Sequence, residues 1–106
     1  MLFRSSVLKS TKDEQAAILA QIEEAATSVT ELKNQKSQTN AHIAEFSAKI
    51  KDVAKKSNSA KTEKEIKALQ LEDELAKEQL EAANEEVERL EKIIDSKNAQ
   101  IGRAHV

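Results

Sequence analysis

The sequence predicts an all-α fold: two long helices forming an antiparallel coiled-coil hairpin, with the turn near residues 57–62. Three observations predict it. Apolar residues recur with alternating gaps of four and three along two separate tracts. The second tract is out of phase with the first. The composition is that of long helices: 34% charged and 2% aromatic residues, one Gly, no Pro and no Cys among 106 residues.

A globular core of this length normally draws on several aromatic anchors and on turn residues between its elements. Here Phe3 and Phe46 are the only aromatics and Gly102 is the only glycine. Disorder is the competing class for so charged a chain. It is disfavoured because the apolar residues are periodic.

The first tract is Ile18, Ile22, Ala25, Val29, Leu32, Lys36, Thr39, Ile43, Phe46, Ile50 and Val53. Just upstream, Thr11-Lys12-Asp13-Glu14 fits a capping box, in which Thr11 caps a backbone N–H and Glu14 reaches back. The first helix is therefore expected over 12–57, with 1–11 poorly ordered or a miscalled start. The second tract is Ile66, Leu69, Asp73, Ala76, Leu80, Ala83, Val87, Leu90 and Ile94. Continuing the first phase would place seam sites at 60 and 64, but the seam resumes at Ile66, two residues late. A stutter inserts four residues and a stammer three, so a slip of two disfavours one continuous helix. The slip falls on Ser57-Asn58-Ser59-Ala60-Lys61, the most turn-like stretch of the interior. Thr62-Glu63-Lys64-Glu65 then supplies a second capping box and restarts the helix, expected over 63–99. Folding here sets Val53 against Ile66, Ile43 against Ala76, Thr39 against Leu80 and Ala25 against Ile94. Large against small is how a tight seam conserves its volume.

Two seam positions are charged. Lys36 and Asp73 are expected to fix register, Lys36 by snorkelling past Ala83 and Asp73 by sitting near the wet tip; the other reading makes each a partner contact or hinge. Leu71 and Leu75 lie off the seam, beside it. With Ile66 and Leu69 they either broaden a packed face or form an exposed docking strip for a partner helix.

No residue constellation for chemistry is visible. The pairs and runs Glu23-Glu24, Glu72-Asp73-Glu74 and Glu85-Glu86 are adjacent on a helix and diverge. The Glu-x-x-His ligand spacing, Gly-rich phosphate loops and nucleophile–base signatures are missing. His42, with Glu45 three residues on, reads as a surface flank. An enzyme is therefore not expected, nor a cofactor or metal in this chain. A net charge of −2 with both signs mixed gives no dense basic patch for nucleic acid or for an anionic membrane surface. No apolar run approaches the roughly 18 residues of a membrane span, and the N-terminus has no apolar signal-peptide core. A cytoplasmic location is the default expectation.

The stretch 100–106 departs from the rest. Ile101-Gly102-Arg103-Ala104-His105-Val106 back-translates to ATC-GGA-AGA-GCA-CAC-GTC, which resembles the start of a common sequencing adapter, with Gln100 as CAG supplying its leading AG and a stop codon following. The expectation is an adapter-derived tail on a fragment, with Ile101 outside the core and His105 outside any site.

The strip Lys61-Thr62-Glu63-Lys64-Glu65-Ile66-Lys67-Ala68-Leu69-Gln70-Leu71-Glu72-Asp73-Glu74 resembles the hairpin tip of bacterial zinc-ribbon proteins that carry a coiled-coil arm. The likeness spans roughly residues 40–95 and rests on a polar turn followed by a Lys-Glu-hydrophobic-x-x-Leu-Gln run: Lys64, Glu65, Ile66, Leu69 and Gln70. The onward stretch to Leu90 looks most like members tied to flagellar regulation. The resemblance implies a protein-interaction arm whose partner is an alternative, nitrogen-type sigma factor, with Lys64, Glu65, Gln70, Leu71 and Leu75 as partner-binding residues. Zinc is implied only for the family's C-terminal ribbon of two Cys-x-x-Cys pairs, which this sequence lacks; nucleic-acid contact is implied only for the full-length protein. The tip also departs from the family, with Asn58-Ser59 where Asn-Gly is common. The rival expectation is a generic structural coiled coil, a spacer or scaffold that associates with itself.

Overall fold

The computed structural model describes residues 2–104, with side chains for 11–103. Two helices, α1 (Leu2–Ser59) and α2 (Glu63–Ala104), pack against each other as an all-α hairpin, with no strand among the described residues. No helix is long and apolar enough to cross a membrane among those residues.

The reversal is confined to Ala60, Lys61 and Thr62. On its incoming side, two hydroxyls bond back to carbonyls of α1: Ser57 Oγ donates to Val53 O at 2.9 Å and Ser59 Oγ to Lys56 O at 3.2 Å. Lys56 O belongs to the last turn, whose carbonyls lack an intrahelical donor, while Val53 O lies inside the helix and gains a second donor. The chain turns here with no residue at positive φ. On the outgoing side Thr62 is the N-cap. Its carbonyl accepts from Ile66 N at 3.0 Å, and its hydroxyl accepts from Glu65 N at 3.1 Å. Glu65 completes the box one residue further back than expected, accepting from Lys61 N at 3.2 Å. Glu63 and Glu65 also place negative charge on the first turn of α2, where the helix dipole favours it.

The expected start of α1 at 12 moves to Leu2. Thr11 lies inside the helix and is not its N-cap. The physical reason is that nothing in 2–11 breaks a helix: Gly and Pro are both missing from it, and a capping box upstream of an apolar pattern is a sufficient start but not an obligatory one. Likewise α2 runs on to Ala104 and not to 99. Met1 and the last two residues of the expected tail, His105 and Val106, lie outside the described residues.

Two compact units are distinguishable. In the tip unit, residues 34–91, the two expected phases are both realised. Val53, Ala76, Ala83 and Leu90 are buried, and Ile43, Phe46, Ile50, Leu69, Leu80 and Val87 are half-buried. A seam between only two helices is lined by solvent along both edges, so half-burial is its normal state. Thr39 keeps its seam site by donating its hydroxyl to its own helix, at Gln35 O, 2.9 Å away.

In the second unit, formed by the described residues of 1–33 and 92–106, Val29 and Ile94 are buried and Ile22, Ala25, Leu32, Lys97 and Ile101 are half-buried. Ile101, expected outside the core, is half-buried and not one of the buried core residues, though it keeps the seam phase. The four–three alternation simply continues from Leu90 through Ile94 and Lys97 to Ile101. By contrast every residue of 11–20 is exposed, Ile18 and Leu19 included. The register that sets Ala25 level with Ile94 brings α2 to its end at about the level of residue 15.

Candidate protein-interaction surface

The residues singled out at the tip separate into two groups. Glu65 is part of the turn itself through its bond to Lys61 N, and Lys64 stands beside it, exposed. Gln70, Leu71 and Leu75 lie further along α2 and are also exposed. Leu71 is 67% and Leu75 56% accessible, more than Ile66 at 42%, a seam residue that sits at the open end next to the turn.

The two leucines do not flank the seam, as expected; they oppose it. At about 100° per residue, Leu71 is turned some 160–200° from both Leu69 and Asp73, and Leu75 stands about 40° from Leu71. They share the outer face of α2 with Lys64, Ala68, Glu78 and Ala82, all exposed. Of the two readings of these leucines, the wider packed face is thereby excluded within this hairpin: neither touches the seam. The angular sum was available from the sequence, and it would have placed them outside.

The charged seam residues are both accounted for by ion pairs. Lys36 Nζ reaches across the seam to Glu91 Oε1 at 3.2 Å. Helical side chains lean toward their own N-terminus, so Lys36 passes Ala83 and meets α2 further along. Asp73, half-buried, accepts from Lys77 of the next turn at 2.8 Å. The Lys36–Glu91 pair links the two helices, whereas the Asp73–Lys77 pair lies within α2 and leads its polar group to the rim.

On the rest of the surface, carboxylates pair locally. Asp52 meets Lys56 at 3.1 Å and Glu63 meets Lys67 at 3.7 Å, each one helical turn apart. Arg89 grips Glu86 with two donors, Nε to Oε2 at 3.0 Å and Nη2 to Oε1. That fork holds the Glu86 carboxyl below its ordinary range and raises Arg89 in turn. His42 stacks on Phe46 with ring centroids 6.3 Å apart and lies 3.6 Å from Glu45, in the exposed position expected of a flank.

The grooves along the hairpin are open and shallow in chemistry. One in the tip unit is lined by Lys56, Ser59, Ala60, Glu65, Ala68 and Leu69; another, in the second unit, draws on Ile22, Ala25, Lys97 and Ile101. Zinc does not fit this chain: it has no cysteine, and among the described residues no group of three or more His, Cys, Asp or Glu side chains is arranged to hold a metal ion. Among the described residues no side-chain polar atom is buried without a partner, so no orphaned group points at a missing ligand. Comparison of the chain with models of protein families, with curated proteins and with solved structures finds no match.

Proposed function

We propose that this chain is a non-enzymatic protein-interaction arm, in which the capped turn and the exposed sides of the first turns of α2 present Lys64, Glu65, Gln70, Leu71 and Leu75 to a protein partner. The observation that carries the reading is the pair of exposed leucines one turn apart on a face turned away from the seam. A two-helix hairpin gains nothing in stability from leucine at such sites, and helix-in-groove recognition uses this spacing. Single exposed apolar residues are ordinary, but two in register on one strip are a candidate contact.

Within this reading, the resemblance of the tip to zinc-ribbon coiled-coil regulators makes the partner an alternative sigma factor and the setting flagellar gene regulation in the bacterial cytoplasm. The test is direct binding to a purified nitrogen-type sigma factor. Binding is expected for the unaltered chain and lost with Leu71→Glu or Leu75→Glu, while circular dichroism stays helical. Unchanged binding in both variants sinks the strip as the docking surface.

A further inference from the structure

The outer strip of α2 has an order along its axis as well as an apolar centre. Lys64 and Lys67 come first, Leu71 and Leu75 stand in the middle, and Glu78 and Ala82 follow; all six are exposed. Reversed end for end, this order sets lysine near glutamate at its two ends, while Glu72 and Glu74, one on each flank of the leucines, come near their own counterparts at the axis and weaken the contact. A two-fold axis level with residue 73 sets residue i opposite residue 146 − i of a second copy. Leu71 then lies level with Leu75 of that copy and Leu75 with its Leu71. Lys67 falls level with 79 of the copy, one residue from Glu78.

The sides agree as well. In an antiparallel pair related by a two-fold axis, the same flank of each helix meets its counterpart. At about 100° per residue, Lys67 and Glu78 lie on the same side of the Leu71–Leu75 line, roughly 60° and 40° from its centre. Each therefore meets the other across the axis, twice in the assembly. Lys64 falls level with Ala82 of the copy, whose small side chain leaves room for the lysine stem. Lys67 is free to exchange: its present bond is a 3.7 Å contact with Glu63, both side chains largely exposed, and Glu78 holds no ion pair among the described residues.

We infer that the outer face of α2 is a docking surface for a second copy of this chain, α2 against α2 in antiparallel register, with four leucines at its centre and a Lys67–Glu78 pair at each end. This rests on the proposed role of the strip as an interaction surface and names its occupant. The contact spans residues 64–82, about 28 Å of helix. A contact this short falls in the small-interface class, so the association is weak. A partner seated on the same leucines must displace the second copy.

The experiment is sedimentation equilibrium of the full chain from micromolar to millimolar concentration. A concentration-dependent dimer is expected. Leu71→Glu should abolish it. Lys67→Glu and Glu78→Lys should each weaken it about tenfold, since two like-charge contacts replace two attractive ones. Mixing these two variants in equal amounts should restore it, because only the mixed dimer has both pairs of opposite sign, and the double variant Lys67→Glu/Glu78→Lys should dimerise like the parent. A chain monomeric at every concentration overturns the inference, as does a dimer unaffected by Leu71→Glu. Weakening by the single charge reversals without recovery in the mixture overturns the antiparallel register. Leu71-dependent binding of the purified sigma factor to a strictly monomeric chain would keep the strip as a docking surface while removing the second copy from it, so the two readings fail separately.

Discussion

Two neighbouring stretches of α2 share a seam but differ in what they carry on the side turned away from it. Between 66 and 83 the seam holds Leu69 and Leu80 beside the buried Ala76 and Ala83, and Leu71 and Leu75 face outward. Between 86 and 91 the seam holds Val87 and Leu90, the latter fully buried, and the Glu86–Arg89 fork runs from the half-buried flank of the seam to the exposed side. The second arrangement is what folding alone selects: large side chains inside, paired charges toward water. The first departs from it on its outer side. Alanine inside still suits the fold, because Ile43 supplies the volume facing Ala76, but leucine outside does not. The difference separates residues whose placement the hairpin requires from residues whose placement something else must reward.

The largest expected effect tests that separation through stability. Leu90→Ala should cost about 2–5 kcal/mol, by loss of transfer free energy plus the cavity left in a site with no exposure. Leu71→Ala should change stability by less than about 0.5 kcal/mol, since little of the leucine is removed from water to begin with. Chemical denaturation of the two variants measures both. Comparable losses would mean that the outer face is structural after all, and the contrast between the two stretches would lose its meaning.

A smaller loss comes from reversing the volume inside. Ala76→Leu places three further carbon atoms in a seam site that is 1% exposed and should destabilise by about 1–3 kcal/mol through overpacking. A stabilised Ala76→Leu would show the tip seam to be loosely packed, with alanine there for reasons other than fit.

The cap comes next. Thr62→Ala removes the hydroxyl that accepts from Glu65 N and should cost about 1 kcal/mol in the thermal midpoint analysis. Thr11→Ala is the informative control. Thr11 and Thr62 head the same four-residue pattern, but α1 continues upstream of Thr11, so its substitution should cost less than that of Thr62.

Those two threonines also mark what could be read from sequence and what could not. The alternation of four and three fixed the seam, because burial between two helices leaves a direct record in apolar spacing; every expected seam site from Ile22 to Val53 is buried or half-buried. The two-residue slip located the reversal, because two phases cannot share one straight helix. Helix ends were harder. A helix stops where the backbone loses partners or meets a breaker, and residues 2–11 offer no breaker, so the upstream cap pattern misled. Ile101 followed the same rule as the rest of the seam, and its phase outweighed the oddity of its neighbours. For the candidate surface, the sequence marks Leu71 and Leu75 as off the seam, and the 100° step per residue turns them to its far side. The cross-seam reach of Lys36 to Glu91 depends on side-chain lean and on two distant segments at once, which a linear pattern does not encode.

The smallest expected effect concerns the outer pair of the second stretch. Arg89, hydrogen-bonded to Glu86, lowers the carboxyl's pKa in the folded chain below its value in the unfolded one. A group with a depressed folded pKa stabilises the fold at pH above its unfolded pKa, and that contribution is lost as pH falls through the folded pKa. Arg89 itself stays protonated across this window, so only Glu86 titrates. The difference in melting temperature between the unaltered chain and Arg89→Gln should therefore be small and constant at neutral pH, shrink below the ordinary carboxylate range, and vanish in strong acid. It should also shrink with added salt, because the pair is exposed and screened. A difference that persists unchanged at low pH would mean that Arg89 stabilises α2 by covering it with its stem and not by its charge, and the outer face of this stretch would then resemble the leucine strip more closely than the comparison allows.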